Sequence, residues 1–137
     1  MAEVVLTNGF ISVDGTDLSD HGIEIGLDFG RVIKEKTAFS ESVNNFIAGL
    51  KVQRVLLRFN QDFAASSVES VLNGADDGAV IVLTIRPDAG VVSTSNPQWS
   101  GNMLQENYAW TGRINEIVTV EASYVPGDGT GLARTTS

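Results

Sequence analysis

Apolar and polar residues alternate along much of this chain, and a period of two is the pattern of a β-strand with one buried face. The most regular stretch runs from His21 to Phe29. Its apolar positions share one face of the predicted strand, and they are Ile23, Ile25, Leu27 and Phe29. The pattern therefore predicts a half-buried strand near the front of a β-rich protein.

A hairpin is predicted before that strand. Apolar runs that begin at Val4 and Phe10 flank the pair Asn8 and Gly9. Both central positions of a type I′ turn need a positive φ angle, which Asn and Gly adopt readily. We therefore expect two short antiparallel strands joined at this pair.

The later part of the chain predicts four more strands. Residues 50–60 and 80–85 contain runs that are apolar on both faces, which indicates two interior strands. Alternating residues predict strands at 99–110 and 114–125 as well. Only residues 111–113 separate these last two, so we expect a short hairpin connection.

One segment favours a helix. Residues 66–74 begin with two serines that can cap a helix, and they end at Asn73 and Gly74, which favour its termination. Val68 and Leu72 give this segment an apolar side. With about seven strands and no internal repeat, the pattern predicts a mainly β fold. We expect an antiparallel β-sandwich or partly closed barrel, with the short helix covering one open end and one extended loop.

That extended loop is residues 34–48, a stretch without a clear period. Connections of this length are uncommon in small domains and are usually functional or disordered. The stretch contains apolar side chains that argue against plain disorder, namely Phe39, Val43, Phe46 and Ile47. We interpret it as an arm that docks on a neighbouring subunit. The alternative is a hairpin tip packed on its own domain. A second long stretch, residues 87–98, has the composition of a surface loop.

Composition narrows the possible functions. The 137 residues suffice for one domain, and 42% apolar content is too high for a disordered tail. The net charge of −8 opposes nucleic-acid binding, because an acidic surface repels phosphates. The chain has no cysteine, which excludes disulfides and thiolate chemistry. It shows neither a signal peptide nor an apolar run of membrane-spanning length, so we expect synthesis in the cytoplasm and no membrane partner.

Candidate chemistry is sparse. Residues 14–21 hold three aspartates and the single histidine, but their spacing lacks the register of a calcium loop and suits a tight turn. The glycine-rich segment 126–131 lacks the Lys-Ser/Thr ending of a phosphate-binding loop. Glu116 and Glu121 form a carboxylate pair of the kind that any acidic domain supplies. We therefore predict no enzyme, no metal and no cofactor.

Several short motifs, in their order along the chain, resemble the tail-tube-like (major tail) proteins of long-tailed bacteriophages. They are Asp17–His21, Gly49–Lys51, Arg58–Phe63, Ser93–Pro97, Gly101, Gly112 and Arg134–Thr136. The resemblance covers most of the chain. It departs from the family pattern at residues 34–48, which are not a regular loop, and at Gln53 and Arg54, which replace an aromatic residue.

The resemblance implies a virion structural protein, a tail tube subunit that forms a single tail-tube-like β-sandwich domain. Its partners would be itself, in hexameric rings that stack into a hollow tube, and other tail or capsid proteins. DNA would pass through as cargo without specific binding, and edge strands would pair between protomers. The arm at 34–48 and a second, C-terminal arm at 126–137 would provide the interfaces. The interface candidates are Phe39, Val43, Phe46, Ile47, Leu132 and Arg134.

Two other interpretations remain open. The first is a capsid decoration or minor capsid protein built on the same fold. The second, which the residues favour less, is a carbohydrate-binding module that stacks sugar rings on Trp99, Tyr108 and Trp110. A lectin should present clustered, exposed aromatic side chains, whereas a tube subunit should carry two complementary faces and an apolar arm.

Overall fold

The computed structural model describes residues 5–75 and 77–137. This part of the chain forms eight strands, one α-helix and one turn of 3₁₀-helix at Ser19–His21. The strands are β1 (Phe10–Val13), β2 (Thr16–Asp17), β3 (Gly22–Glu35), β4 (Phe46–Asn60), β5 (Ile81–Arg86), β6 (Gln98–Thr111), β7 (Thr119–Pro126) and β8 (Ala133–Thr135). Helix α1 spans Val68–Ala75, within one to two residues of the prediction.

All eight strands belong to one antiparallel sheet. Their order across the sheet is β2-β1-β5-β6-β7-β4-β3, and β8 pairs with the beginning of β6. β7 and β8 lie on the same side of β6, one after the other. The predicted fold class is confirmed: the protein is mainly β and antiparallel, with one short helix.

The sheet curls so far that its two ends approach each other. A Cβ atom placed on Gly22, where β3 starts, would lie 2.8 Å from the Ile11 Cδ1 atom of β1. One placed on Gly9 would lie 3.2 Å from Ile25 Cδ1. No hydrogen-bonded ladder joins β1 to β3 among the described residues. The sheet is therefore a partly closed barrel whose seam is filled by side chains.

The core fills the concave face of this sheet. Alternate residues of β4, β5 and β7 are buried there, as the period of two requires. They are Val55, Leu57 and Phe59, then Ile81, Leu83 and Ile85, then Val120, Ala122 and Tyr124. Helix α1 contributes Val68, Leu72 and Ala75. Ile25 and Leu27 pack against this cluster, as predicted for the inner face of β3. Ile23 and Phe29, which were predicted on the same face, are 49% and 48% exposed.

The first hairpin forms at a different turn from the one predicted. Residues 5–9 belong to no strand, and Val4 lies outside the described residues. β1 turns into β2 at Asp14 and Gly15, which have φ angles of 51° and 83°. These are the two positive angles of a type I′ turn. Asn8 instead connects two loops, because its carbonyl accepts a hydrogen bond from the Ala89 amide at 2.9 Å.

Two further expectations need correction. β7 starts at Thr119, so residues 112–118 form the connection to β6 and the predicted three-residue turn is wrong. β5 and the Val55–Asn60 part of β4 do have strand neighbours on both sides, but each is buried on one face only. Val80 and Val82 are half exposed, because nothing among the described residues covers the convex face there.

The surface loop predicted at 87–98 does lie between β5 and β6. Asn96 is buried within it, and its side-chain Nδ2 donates hydrogen bonds to three backbone carbonyls, those of Asp88, Gly90 and Val91.

Tyr124 connects the core to helix α1 and makes the stability of the fold depend on pH in the alkaline range. Its hydroxyl donates to Gln105 Oε1 at 3.1 Å, and Gln105 Nε2 donates to the Leu72 carbonyl at 2.8 Å. Burial raises the pKa of Tyr124 well above its usual value of 10.0, because the phenolate would be desolvated. The unfolded chain then releases this proton at a lower pH than the folded chain does.

We therefore expect the free energy of unfolding to fall as the pH rises above 10. Between about pH 9 and pH 11 the loss from this group should be about 1.4 kcal/mol. Urea denaturation at the two pH values would measure it. The variant Tyr124→Phe has no proton to release, so its loss over the same range should be smaller by that amount. Equal losses in both proteins would contradict the assignment.

Candidate assembly surfaces

The hairpin of β3 and β4 extends beyond the body of the sheet. β4 pairs with β7 only from Val55 to Asn60, whereas its pairing with β3 continues to Phe46. Among the described residues, 46–54 therefore have strand neighbours on one side only. Nine residues of extended strand measure about 30 Å. We call the projecting part, residues 28–54, the arm.

The arm carries apolar side chains in water. Phe39 is fully exposed, Val43 is 74% exposed, and Phe46 and Ile47 are each 54% exposed. Leu50 adds a further exposed side chain, at 85%. A monomeric protein seldom leaves several large apolar side chains of one hairpin uncovered, because each side chain loses the free energy of burial. The four predicted arm residues thus lie together at the end of one hairpin, and they do not pack on their own domain.

Hydrogen bonds hold the tip of the arm in one shape. The Lys36 amide donates to the Asn45 carbonyl at 2.7 Å, and the Asn45 amide donates to Thr37 Oγ1 at 2.7 Å. Thr37 Oγ1 in turn donates to a Glu35 carboxylate oxygen at 2.8 Å. A preorganised tip loses less conformational entropy on binding than a flexible loop would. The arm is therefore longer and better ordered than the irregular loop expected at 34–48.

A cleft lies beside the root of the arm. At this point β4 separates from β7, and β8 replaces β7 as the neighbour of β6. Its volume is about 460 Å³. The Leu132 amide donates to Gln53 Oε1 at 2.9 Å, and this bond connects the two walls. The lining residues are Phe29, Gly30, Arg31, Lys51, Val52, Gln53, Trp99, Leu132 and Arg134. Three of them are cations and none is a carboxylate.

The two C-terminal candidates belong to this cleft and not to the arm. Leu132 is 8% exposed and joins the core cluster, while Arg134 is exposed on β8. The segment predicted as a second arm thus carries a short strand that is paired with β6 of the same chain. The six interface candidates therefore divide into two sets, one on the arm and one at the cleft.

A second apolar surface lies at the opposite end of the sheet. Phe63 and Trp110 meet edge to face, with ring centroids 5.7 Å apart, and each is more than half exposed. In the loop 112–118, Ile114 is 91% exposed and Ile117 is 71% exposed. Periodicity alone places Ile114 and Ile117 in a strand, so the sequence pattern does not predict this surface. Both isoleucines are exposed because β7 starts at Thr119, which leaves them in the loop.

Comparison with known proteins identifies the architecture. No protein-family model and no curated protein sequence matches the chain. Solved structures do match it. A chain in the virion of a native gene transfer agent superposes with a TM-score of 0.72 at 15% identity, covering 93% of this chain and 95% of the other. A chain in the sheath/tube terminator structure of an extracellular contractile injection system, PVC, gives 0.72 at 14% identity, covering 98% of both chains.

A third match is a chain in the C6-symmetric tail of empty gene transfer agent particles, with a TM-score of 0.65 at 14% identity over 85% of this chain and 82% of the other. The fold is tail-tube-like. The sequence resemblance stated above is thereby confirmed at the level of fold. In this fold the arm and the second apolar surface, which contains Phe63, lie at opposite ends of β4. β4 starts at Phe46 in the arm and ends at Asn60, three residues before Phe63.

The aspartate-rich segment 14–21 has a structural use within this tail-tube-like fold. Asp17 accepts hydrogen bonds from the amide and hydroxyl of Ser19. His21 Nε2 lies 3.2 Å from Asp62 Oδ2. The amide of Ala64 and the hydroxyl of Ser67 donate to Asp62 and hold its pKa below the usual value. No group of three or more potential metal ligands occurs within residues 5–75 and 77–137.

The aromatic residues proposed for sugar stacking do not form one platform. Trp99 and Tyr108 pack against the core, and Tyr108 accepts a hydrogen bond from Gln61 Nε2 at 3.1 Å. Trp110 pairs instead with Phe63. In the described part of the chain, no helix is both long and apolar enough to cross a membrane.

Proposed function

We propose that this protein is a structural subunit of a phage-like tail, and that it self-assembles into rings that stack into a tube. One observation carries the proposal. A projecting apolar arm and a second exposed apolar surface lie at opposite ends of the same strand, β4. Two different surfaces at opposite ends allow a head-to-tail contact, and such a contact builds a filament when its rotation does not close a ring. The chain would be located in the virion tail.

Ring formation needs a second, lateral contact, and the strand order ends in two edge strands, β3 and β2. β3 is 14 residues long and has no hydrogen-bonded strand neighbour on its outer edge within the described residues. Its first residues face β1 across the seam, and the rest of the edge is open. β2 forms the other edge and has only two residues. A long free edge is an aggregation hazard for a monomer unless another chain covers it. We propose that β3 pairs with a neighbouring protomer and that six protomers close the ring. The sixfold symmetry of the matched gene transfer agent tail supports this number.

The net negative charge of the chain is better suited to a tube through which DNA passes than to a protein that binds DNA. The net charge of −8 would repel the phosphate backbone, so DNA would pass along the lumen without adhering. We propose no catalytic role. The solved structures that the chain matches include those of a gene transfer agent tail, a sheath/tube terminator and the anti-feeding prophage baseplate, which are structural assemblies.

A tail terminator is a second candidate. The match to the sheath/tube terminator structure covers 98% of each chain, so the two chains correspond over almost their full lengths without large insertions. A terminator would form a single ring and cap a tube made of another protein. It would still use an apolar surface at one end, but it would not polymerise alone.

Electron microscopy of the purified protein over a range of concentrations, with sedimentation velocity, tests these functions. Hollow tubes of stacked rings are the result expected for a tube subunit. Isolated six-membered rings that do not stack would favour the terminator. A persistent monomer or trimer would overturn self-assembly and would favour the capsid decoration protein instead.

A further inference from the structure

The cleft beside the arm is a cationic site in an acidic protein. Its three cations, Arg31, Lys51 and Arg134, make no ion pair with any described residue. Arg31 Nη1 donates only to the Gly49 carbonyl, at 3.3 Å. Unpaired like charges that converge on one cleft repel one another, so an anionic group placed between them would be stabilised.

The walls of the same cleft are apolar. Phe29, Val52, Trp99 and Leu132 line it together with the cations. A bare phosphate backbone would gain nothing from these side chains, and the net charge of −8 would repel a long polyanion. The cleft therefore fits a peptide segment that combines apolar side chains with a carboxylate.

The loop 112–118 has that combination. Glu116 lies at its tip between Ile114 and Ile117, all three are exposed, and Arg113 is the cation at its base. The Glu116 amide donates to the Arg113 carbonyl at 3.1 Å, and Asn115 has a φ angle of 64°, so the tip is a defined turn. The segment would therefore bind with little loss of conformational entropy.

The position of the loop matches the position of the cleft. The loop leads into β7, which runs along one side of β6 from Thr119 to Pro126. β8 continues along that same side and forms a wall of the cleft. The loop and the cleft thus lie at opposite ends of one side of β6, about 25–40 Å apart along the strand direction. Within one chain they cannot meet, but a second copy displaced along this direction brings its loop to the cleft of the first.

We propose that the loop 112–118 of one copy docks in the cationic cleft of the next copy in the stack. Ile114 and Ile117 contact the apolar walls, and the Glu116 carboxylate lies among Arg31, Lys51 and Arg134. The arm of the copy that provides the cleft then extends along the side of the copy that provides the loop. This inference rests on the proposed function, because it names the contact by which rings stack.

Charge reversal tests the contact. Glu116→Lys alone, and Lys51→Glu with Arg134→Glu, should each raise the concentration needed for stacking by about tenfold or more. Asp20→Lys is the matched control, since Asp20 is at the same end of the molecule, is 80% exposed and changes the net charge equally. Circular dichroism would check that every variant is folded. An equimolar mixture of the two reversed proteins should stack again, because each loop then meets a cleft of opposite charge.

The outcomes separate this inference from the proposed function. Stacking by the wild type and equally by Glu116→Lys would overturn the docking and leave the tube function standing. Loss of stacking in Glu116→Lys, with no recovery in the mixture, would also overturn the pairing of loop and cleft. A wild type that forms no rings or tubes would overturn both. Recovery in the mixture, with Asp20→Lys behaving as the wild type, would establish the contact.

Discussion

Replacing Phe39, Phe46 and Ile47 together with serine is expected to abolish tube formation without unfolding the protein. The three side chains are at least half exposed in the single chain, so their removal takes little from its own core. Substitutions at such sites usually change stability by no more than about 0.5 kcal/mol. In an assembled tube each buried apolar side chain contributes about 1.5 kcal/mol or more. Losing all three would weaken the contact by more than about a thousandfold.

Electron microscopy and urea denaturation of the triple variant would measure the two effects separately. Val91→Ser is a suitable control, since Val91 is 89% exposed but belongs to the loop between β5 and β6 and not to the arm. We expect the control to assemble as the wild type does. Normal tubes from the triple variant would contradict a role for the arm in stacking.

The second large effect is expected from Gly101→Ala, in β6. A Cβ atom at this position would lie 2.8 Å from the carbonyl carbon of Gly131 and 3.0 Å from the Leu132 Cα atom, and it would overlap the Gly131 carbonyl oxygen. All three are backbone atoms, so no side-chain rotation relieves the overlap. The segment leading into β8 must move away, which removes Leu132 from the core and opens a wall of the cleft. We expect a loss of about 1–3 kcal/mol in stability and a loss of stacking.

Gly129→Ala is the matched control, because a Cβ atom there meets nothing within 4 Å. It lies in the same C-terminal segment and should leave both stability and assembly unchanged. Hydrogen exchange of the β8 amides would show directly whether the strand has detached in Gly101→Ala. An unchanged urea midpoint with protected β8 amides would mean that the backbone at Gly131 can shift at no cost.

Local pattern was sufficient for most of the secondary structure. The alternation of Ile25 and Leu27 depends only on strand geometry, and both side chains do face the core. Helix α1 was predictable for the same reason, since Val68 and Leu72 give it an apolar side within one eight-residue segment. Its ends were not predicted correctly: the Ser67 hydroxyl donates to Asp62, and the helix continues through Gly74 to Ala75. The choice of turn was not local. Asn8-Gly9 and Asp14-Gly15 are both able to form a type I′ turn, and the pairing of β1 with β5 decided between them.

What the sequence determined by itself is a mainly β, acidic domain with an apolar segment near residues 34–48 that its own core does not need. That much follows from composition and periodicity, which act over a few residues. Only the tertiary structure decided that this segment is the end of a projecting hairpin, that Arg31, Lys51 and Arg134 share one cleft, and that Ile114 and Ile117 are exposed at the opposite end. These facts depend on where β4 separates from β7 and where β8 joins β6, and long-range strand pairing sets both positions.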